Sequence, residues 1–122
     1  MLEVKKGQSI TAFFTLKGNE EFLLDHFDGF PVMPGVLLLE SAKQAAGKLL
    51  EETEGNKNYY RLSKVPVVKF GQFVKPGSRL KIQVLKIGEA SGHVDFESRI
   101  HLMQEEQEGP RALQASFSLE KL

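Results

Sequence analysis

The 122-residue chain contains no cysteine. Disulfides, thiol nucleophiles and cysteine-held metal sites are thereby excluded, although the compartment is not identified by that absence. Net charge is missing as well, because 16 lysines and arginines balance 16 aspartates and glutamates. With no excess of cations and no motif of stacking aromatics, nucleic acid is a poor partner. No apolar run approaches the length of a membrane span. The first residues, Met1 to Gln8, also lack the apolar stretch of a secretory signal, which makes the cytoplasm the expected location. Repeats, linkers and low-complexity tracts are not found. What remains is ordinary for a globular protein, with 41% hydrophobic and 26% charged residues. The length predicts one domain over residues 1–122, short enough to gain from burying further surface in an oligomer.

Residues Ser9 to Leu16 alternate Ile10, Ala12, Phe14 and Leu16 with smaller or polar positions and predict a first strand. Phe22 to Met33, carrying Gly29 and Pro31, is too punctuated to be regular. Pro34-Gly35 opens the one convincing helix, Val36 to Glu52, since proline is tolerated where its missing donor would be unsatisfied anyway. Leu38, Ala42, Ala45 and Leu49 keep helical spacing, while Lys43, Lys48, Glu51 and Glu52 gather toward the later turns. Its first turn, Val36 to Leu39, is apolar on every side and predicts a start that is buried all round. From Tyr59 onward the pattern is strand: Leu80-Ile82-Val84, then His93 to Leu102, then Leu113 to Leu119. Gly88 to Gly92 and Gln104 to Pro110 have hairpin length, so these strands are expected to be antiparallel neighbours. The predicted architecture is α+β, a curved antiparallel sheet wrapped around one long helix.

Chemistry concentrates in the segment from His26 to Glu40, His-Phe-Asp-Gly-Phe-Pro-Val-Met-Pro-Gly-Val-Leu-Leu-Leu-Glu. It sets a histidine in an irregular loop and a carboxylate inside the apolar start of a helix. Among Leu37, Leu38 and Leu39 a charged Glu40 would be costly, which favours the protonated acid. Unpaired N–H groups at Gly35 and Val36 leave a place for an oxygen that bears negative charge. A base, a protonated acid and an oxyanion site are the parts of an elimination next to a carbonyl. Taken singly, each has an ordinary alternative: an exposed loop histidine, a glutamate reaching water, a Pro-Gly turn.

Together, the pattern His-Phe-x-Gly-x-Pro-x-x-Pro-Gly-Val-x-x-x-Glu resembles the active-site signature of the bacterial 3-hydroxyacyl-acyl-carrier-protein dehydratases of fatty-acid synthesis. The likeness extends upstream through Asn19-Glu20-Glu21-Phe22 and downstream to Gln44. A second block runs from Val68-Lys69-Phe70 through Val74-Lys75-Pro76-Gly77. The resemblance implies a hotdog fold and a hydro-lyase that turns (3R)-3-hydroxyacyl thioesters into trans-2-enoyl thioesters without metal or organic cofactor. It implies His26 as the base at C2, Glu40 as the acid at the C3 hydroxyl, Gly35 N–H with Val36 at the thioester oxygen, and Gln44 as the residue that orients Glu40. A homodimer or higher homo-oligomer is implied, with His26 of one subunit meeting Glu40 of the other. The sequence departs from the pattern at Asp28, where proline is common, and at Ser78, where aspartate is usual. No counterpart of the family's N-terminal helix is expected in these residues, so the resemblance implies no chain-length preference.

Between Gly55 and Gly88 lie eight basic residues and no acidic one. They could be scattered over a solvated face, or Lys69, Lys75 and Arg79 could dock an acidic acyl carrier protein. His93 and His101 fall on the polar side of a strand and are expected at the surface. Phe70 and Phe73 belong either to a cavity or to the core. The competing functions are a hotdog acyl thioesterase and a non-catalytic acyl-thioester-binding or partner subunit.

Overall fold

The computed structural model describes residues 2–15, 35–55, 60–72, 74, 78–90 and 92–122, with backbone alone for residues 2 and 35–37. Six strands and one helix follow in the order β1 (Leu2–Lys5), β2 (Ser9–Thr15), α1 (Gly35–Glu54), β3 (Tyr60–Phe70), β4 (Arg79–Ala90), β5 (His93–Gln104) and β6 (Gln107–Lys121). They form one six-stranded sheet in the order β1-β2-β4-β5-β6-β3, antiparallel at every pairing. The expected α+β plan, a helix on an antiparallel sheet, is therefore the observed one.

Alternation decides which face the helix covers. Ile10 pairs with Val84, Ile82 with Ile100, Ile100 with Leu113, and Phe96 with Phe117. All of these are buried, and the Phe96 and Phe117 rings stack with centroids 5.6 Å apart. Against that face α1 sets Leu38, Ala42, Ala45, Ala46, Leu49 and Leu50, all buried. Each buried leucine contributes roughly 1.5–3 kcal/mol, while the alanines let the helix axis approach the sheet closely.

The far end of α1 is tied down twice. The Gly7 N–H donates to Thr53 Oγ1 at 2.8 Å, and the Tyr60 hydroxyl donates to Glu54 Oε1. Burial, then that hydrogen bond, then the charges of Glu54 and Glu89 push the Tyr60 phenol up to about 12. Gly7 leads into Ser9, which pairs with Leu85, and Tyr60 pairs with Lys121. The carboxyl end of the helix thus lies over that end of the sheet. Its amino end points toward the opposite end, where Phe14 pairs with Leu80 and Phe70 with Leu113.

Several expectations change. Strand β1 was not foreseen in Met1 to Gln8, because four residues of Leu-Glu-Val-Lys show too little alternation to stand out. The two hairpins are tighter than expected, since β4 continues to Ala90 and β6 begins at Gln107. The second turn holds Glu105 at φ 59°, a left-handed position taken here by a non-glycine residue. The helix runs two residues beyond Glu52, to Glu54.

Beyond the end of β3, the Gly71 N–H donates to Ala112 O at 2.9 Å and the Gln72 N–H to Arg111 O at 3.0 Å. A Cβ at Gly71 would collide with the Arg111 carbonyl oxygen and come within 3.1 Å of its carbon. At Gly47, inside α1, a Cβ would meet nothing within 4 Å. Opposite outcomes are expected for the same substitution. Gly71→Ala should destabilise by about 1–3 kcal/mol, and Gly47→Ala should stabilise by roughly 0.5–1 kcal/mol. Chemical denaturation of both variants beside the parent checks the pair.

Candidate active site

The helix start and the carboxylate that follows it make up the described part of the site. The first N–H groups of a helix have no acceptor within it, and here they belong to Gly35 and Val36. No acidic side chain occupies that first turn, so the helix itself does not compensate the positive end of its dipole. At about 100° per residue, Leu38 and Ala42 point down to the sheet and Glu40 falls on the side away from it. Its side chain is 44% exposed. The expected burial among leucines is therefore not met within one chain: Leu38 is buried, but the carboxylate looks outward.

Two neighbours on the helix reach the same carboxylate oxygen. Gln44 Nε2 donates to Glu40 Oε1 at 3.4 Å, and Lys43 Nζ lies 3.9 Å from that atom. Gln44 thus sits where the sequence spacing put it, one turn on. Lys43 was grouped with the later-turn charges and missed as a neighbour of Glu40. The available signal was its i+3 spacing, which puts two helix residues on one face.

His26 lies outside the described residues, as do Lys75 and Phe73. Phe70 is 56% exposed and Phe14 43%, so Phe70 is not core within the chain. Both are on the helix-bearing face, at the end toward which the amino terminus of α1 points, and they give that end an open apolar wall. Lys69 and Arg79 share the outer face of the sheet but stand on β3 and β4, with β5 and β6 between them, and Lys69 is level with Gln83 rather than with Arg79. Arg79 lies 5.1 Å over the Phe13 ring. The basic block is partly neutralised by folding: Arg61 pairs with Glu120, Lys81 with Glu108 and Lys86 with Glu89. His93 is partly exposed, whereas His101 is only 16% exposed and sits 3.0 Å from Glu108 Oε1. Among the described residues no group of three or more His, Asp or Glu is placed to hold a metal ion, and no helix is long and apolar enough to cross a membrane.

A family model described as ApeI-like, ApeI dehydratase, matches residues 3–109. The 3-hydroxyacyl-acyl-carrier-protein dehydratase FabZ of Coxiella burnetii is 35% identical over 103 residues, covering 81% of this chain and 72% of its own. The chain belongs to the hotdog-fold dehydratase family. FabZ of Pediococcus pentosaceus is 46% identical over 85 residues, 67% of this dehydratase and 56% of its own length. The dehydratase heterocomplex ApeI:P from Xenorhabdus doucetiae matches in fold with a TM-score of 0.74 at 22% identity, over 98% of this chain and 94% of its own.

With the dehydratase chemistry in view, the weight of the Gln44 contact can be measured. Gln44→Leu is expected to lower turnover of a 3-hydroxyacyl thioester roughly tenfold, the scale of one hydrogen bond to a charged group. Enoyl absorbance reads the rate; an unchanged rate would mean that Glu40 needs no such support.

Proposed function

We propose that this dehydratase acts on (3R)-3-hydroxyacyl groups carried on acyl carrier protein, with His26 as base and Glu40 as acid. His26 takes the proton from C2, and the freed electron pair forms the C2=C3 bond. As the C3–O bond breaks, Glu40 gives its proton to the departing hydroxyl, which leaves as water. The product is a trans-2-enoyl thioester. The thioester oxygen, which gains charge as C2 loses its proton, is met by the N–H groups of Gly35 and Val36 and by the helix dipole. The observation that supports this reading is Glu40 held by Gln44 shortly behind a helix start whose first turn carries no acidic side chain.

The reading includes a single cytoplasmic domain over residues 1–122, with Lys69, Lys75 and Arg79 meeting an acidic carrier. Because Lys69 and Arg79 stand apart, they would act as separate points of encounter, screened by salt. It also includes a partner subunit across β3. That strand is an edge of the sheet and exposes Val65, Val67, Val68 and Phe70 along its length. An exposed apolar edge of this length is a template for pairing. A second subunit there would supply the cover that Glu40 lacks and bring His26 of the partner subunit to Glu40.

Incubation with 3-hydroxybutyryl thioesters separates the activities, as enoyl absorbance reports dehydration and free thiol reports hydrolysis. His26→Ala and Glu40→Gln are each expected to cut enoyl formation by roughly 10²-fold or more with melting unchanged. Near-normal turnover in Glu40→Gln would remove the acid assignment.

The shared site has its own test. Inactive His26→Ala mixed with inactive Glu40→Gln under subunit exchange should recover activity, because one interface site of each mixed dimer then holds both native groups. Mixed dimers that form by mass and stay silent would place the pair within one chain.

A further inference from the structure

We propose that the face of α1 turned away from the sheet is an interface with a second copy of this chain, in which the two helices cross antiparallel at Gly47. Gly47 lies in the interior of a 20-residue helix, where glycine is the least favourable residue after proline. Nothing within the chain calls for it, since a Cβ there would meet no atom within 4 Å. At about 100° per residue Gly47 stands on the opposite side of the helix from Leu38, which is buried against the sheet. A bare Cα on that outward side lets a second helix come close, toward the short end of the roughly 8–10 Å between packed helix axes.

The charges around Gly47 select which helix that is. Lys43 and Glu51 stand four residues before it and four after it, on one ridge of the outward face. Among the described residues Lys43 reaches only Glu40, at 3.9 Å, and Glu51 is half-buried without an ion pair. A two-fold axis through Gly47 sets residue 43 of each copy opposite residue 51 of the other, so both flanking contacts join a lysine to a glutamate. A partner of a single charge sign would be repelled by one end of this ridge, whereas an antiparallel copy is attracted by both. When such i±4 ridges interdigitate, the axes cross at about 50° and the helix ends diverge. That divergence carries Glu40, two turns before Gly47, away from Glu54 of the partner subunit and leaves it at the rim. The contact is separate from the β3 edge and does not depend on the roles given to His26 and Glu40.

The test is the mass of the full-length protein in sedimentation velocity, read in variants that isolate this contact. Lys43→Glu and Glu51→Lys each place like charges at both flanking contacts and are expected to raise the dissociation constant about tenfold or more. Mixed one to one, the two variants bring glutamate to lysine at both contacts again, and the parental mass should return. Gly47→Gln keeps a good helix former but puts bulk at the crossing. It should lower the mass by one step, from tetramer to dimer or from dimer to monomer. A monomeric parent, single variants that keep the parental mass, or a mixture that stays as small as its parts would each overturn the interface.

Discussion

The packing of α1 on the sheet is the contact on which the rest depends. Leu38, Ala42, Ala45, Ala46, Leu49 and Leu50 are all buried against the face carrying Phe96 and Phe117. Three alanines among six contact residues shorten the distance between layers, and the leucines at either end fix the helix along its axis. Thr53 and Glu54 then hold the carboxyl end to Gly7 and Tyr60. Anchoring at that end leaves the amino end, with the backbone of Gly35 and Val36 and with Glu40 shortly behind it, for the proposed chemistry. A helix that shifted by one residue would carry Glu40 about 100° around the axis and out of the site.

How much of this was legible in the sequence depends on the kind of signal. The strands β4, β5 and β6 were readable because Leu80-Ile82-Val84 and Val94-Phe96-Ile100 alternate over long stretches, and period two has no competing explanation there. Strand β1 was not, since its pairing with β2 is a tertiary gain that four residues cannot advertise. The burial of Glu40 was misjudged for a different reason. Three leucines before it raise the local hydrophobicity, but helical rotation separates neighbours in sequence by about 100°, so Leu37 to Leu39 need not surround it. Gln44 was found through the family pattern, while Lys43, 3.9 Å from the same oxygen, stood outside the motif.

Charge shows the same divide between composition and structure. The run from Gly55 to Gly88 is wholly basic in sequence, yet Arg61, Lys81 and Lys86 meet acids from β6 and from β4 itself once folded. His101, expected on a wet face, is largely covered because Glu108 returns over it at the start of β6. Among the described residues of the run, Lys64 and Lys69 on the edge strand and Arg79 over Phe13 remain, and they are dispersed over the sheet. Pairing across strands consumes charge that a linear reading leaves free.

Among the described residues the two ends of α1 differ. Around the carboxyl terminus of α1 the polar groups are paired and the helix is fixed. Around its amino terminus Phe14 and Phe70 remain exposed, Glu40 faces outward, and β3 offers an unpaired apolar edge. General acid catalysis by a carboxyl group benefits from a site that excludes water, because each electrostatic contact then strengthens. The described residues do not provide that exclusion at Glu40, whose side chain is 44% exposed. The same surface that is a liability in the lone subunit is, for the proposed shared site, the material of the missing wall: apolar side chains to shed water and a sheet edge to set the register of whatever covers them.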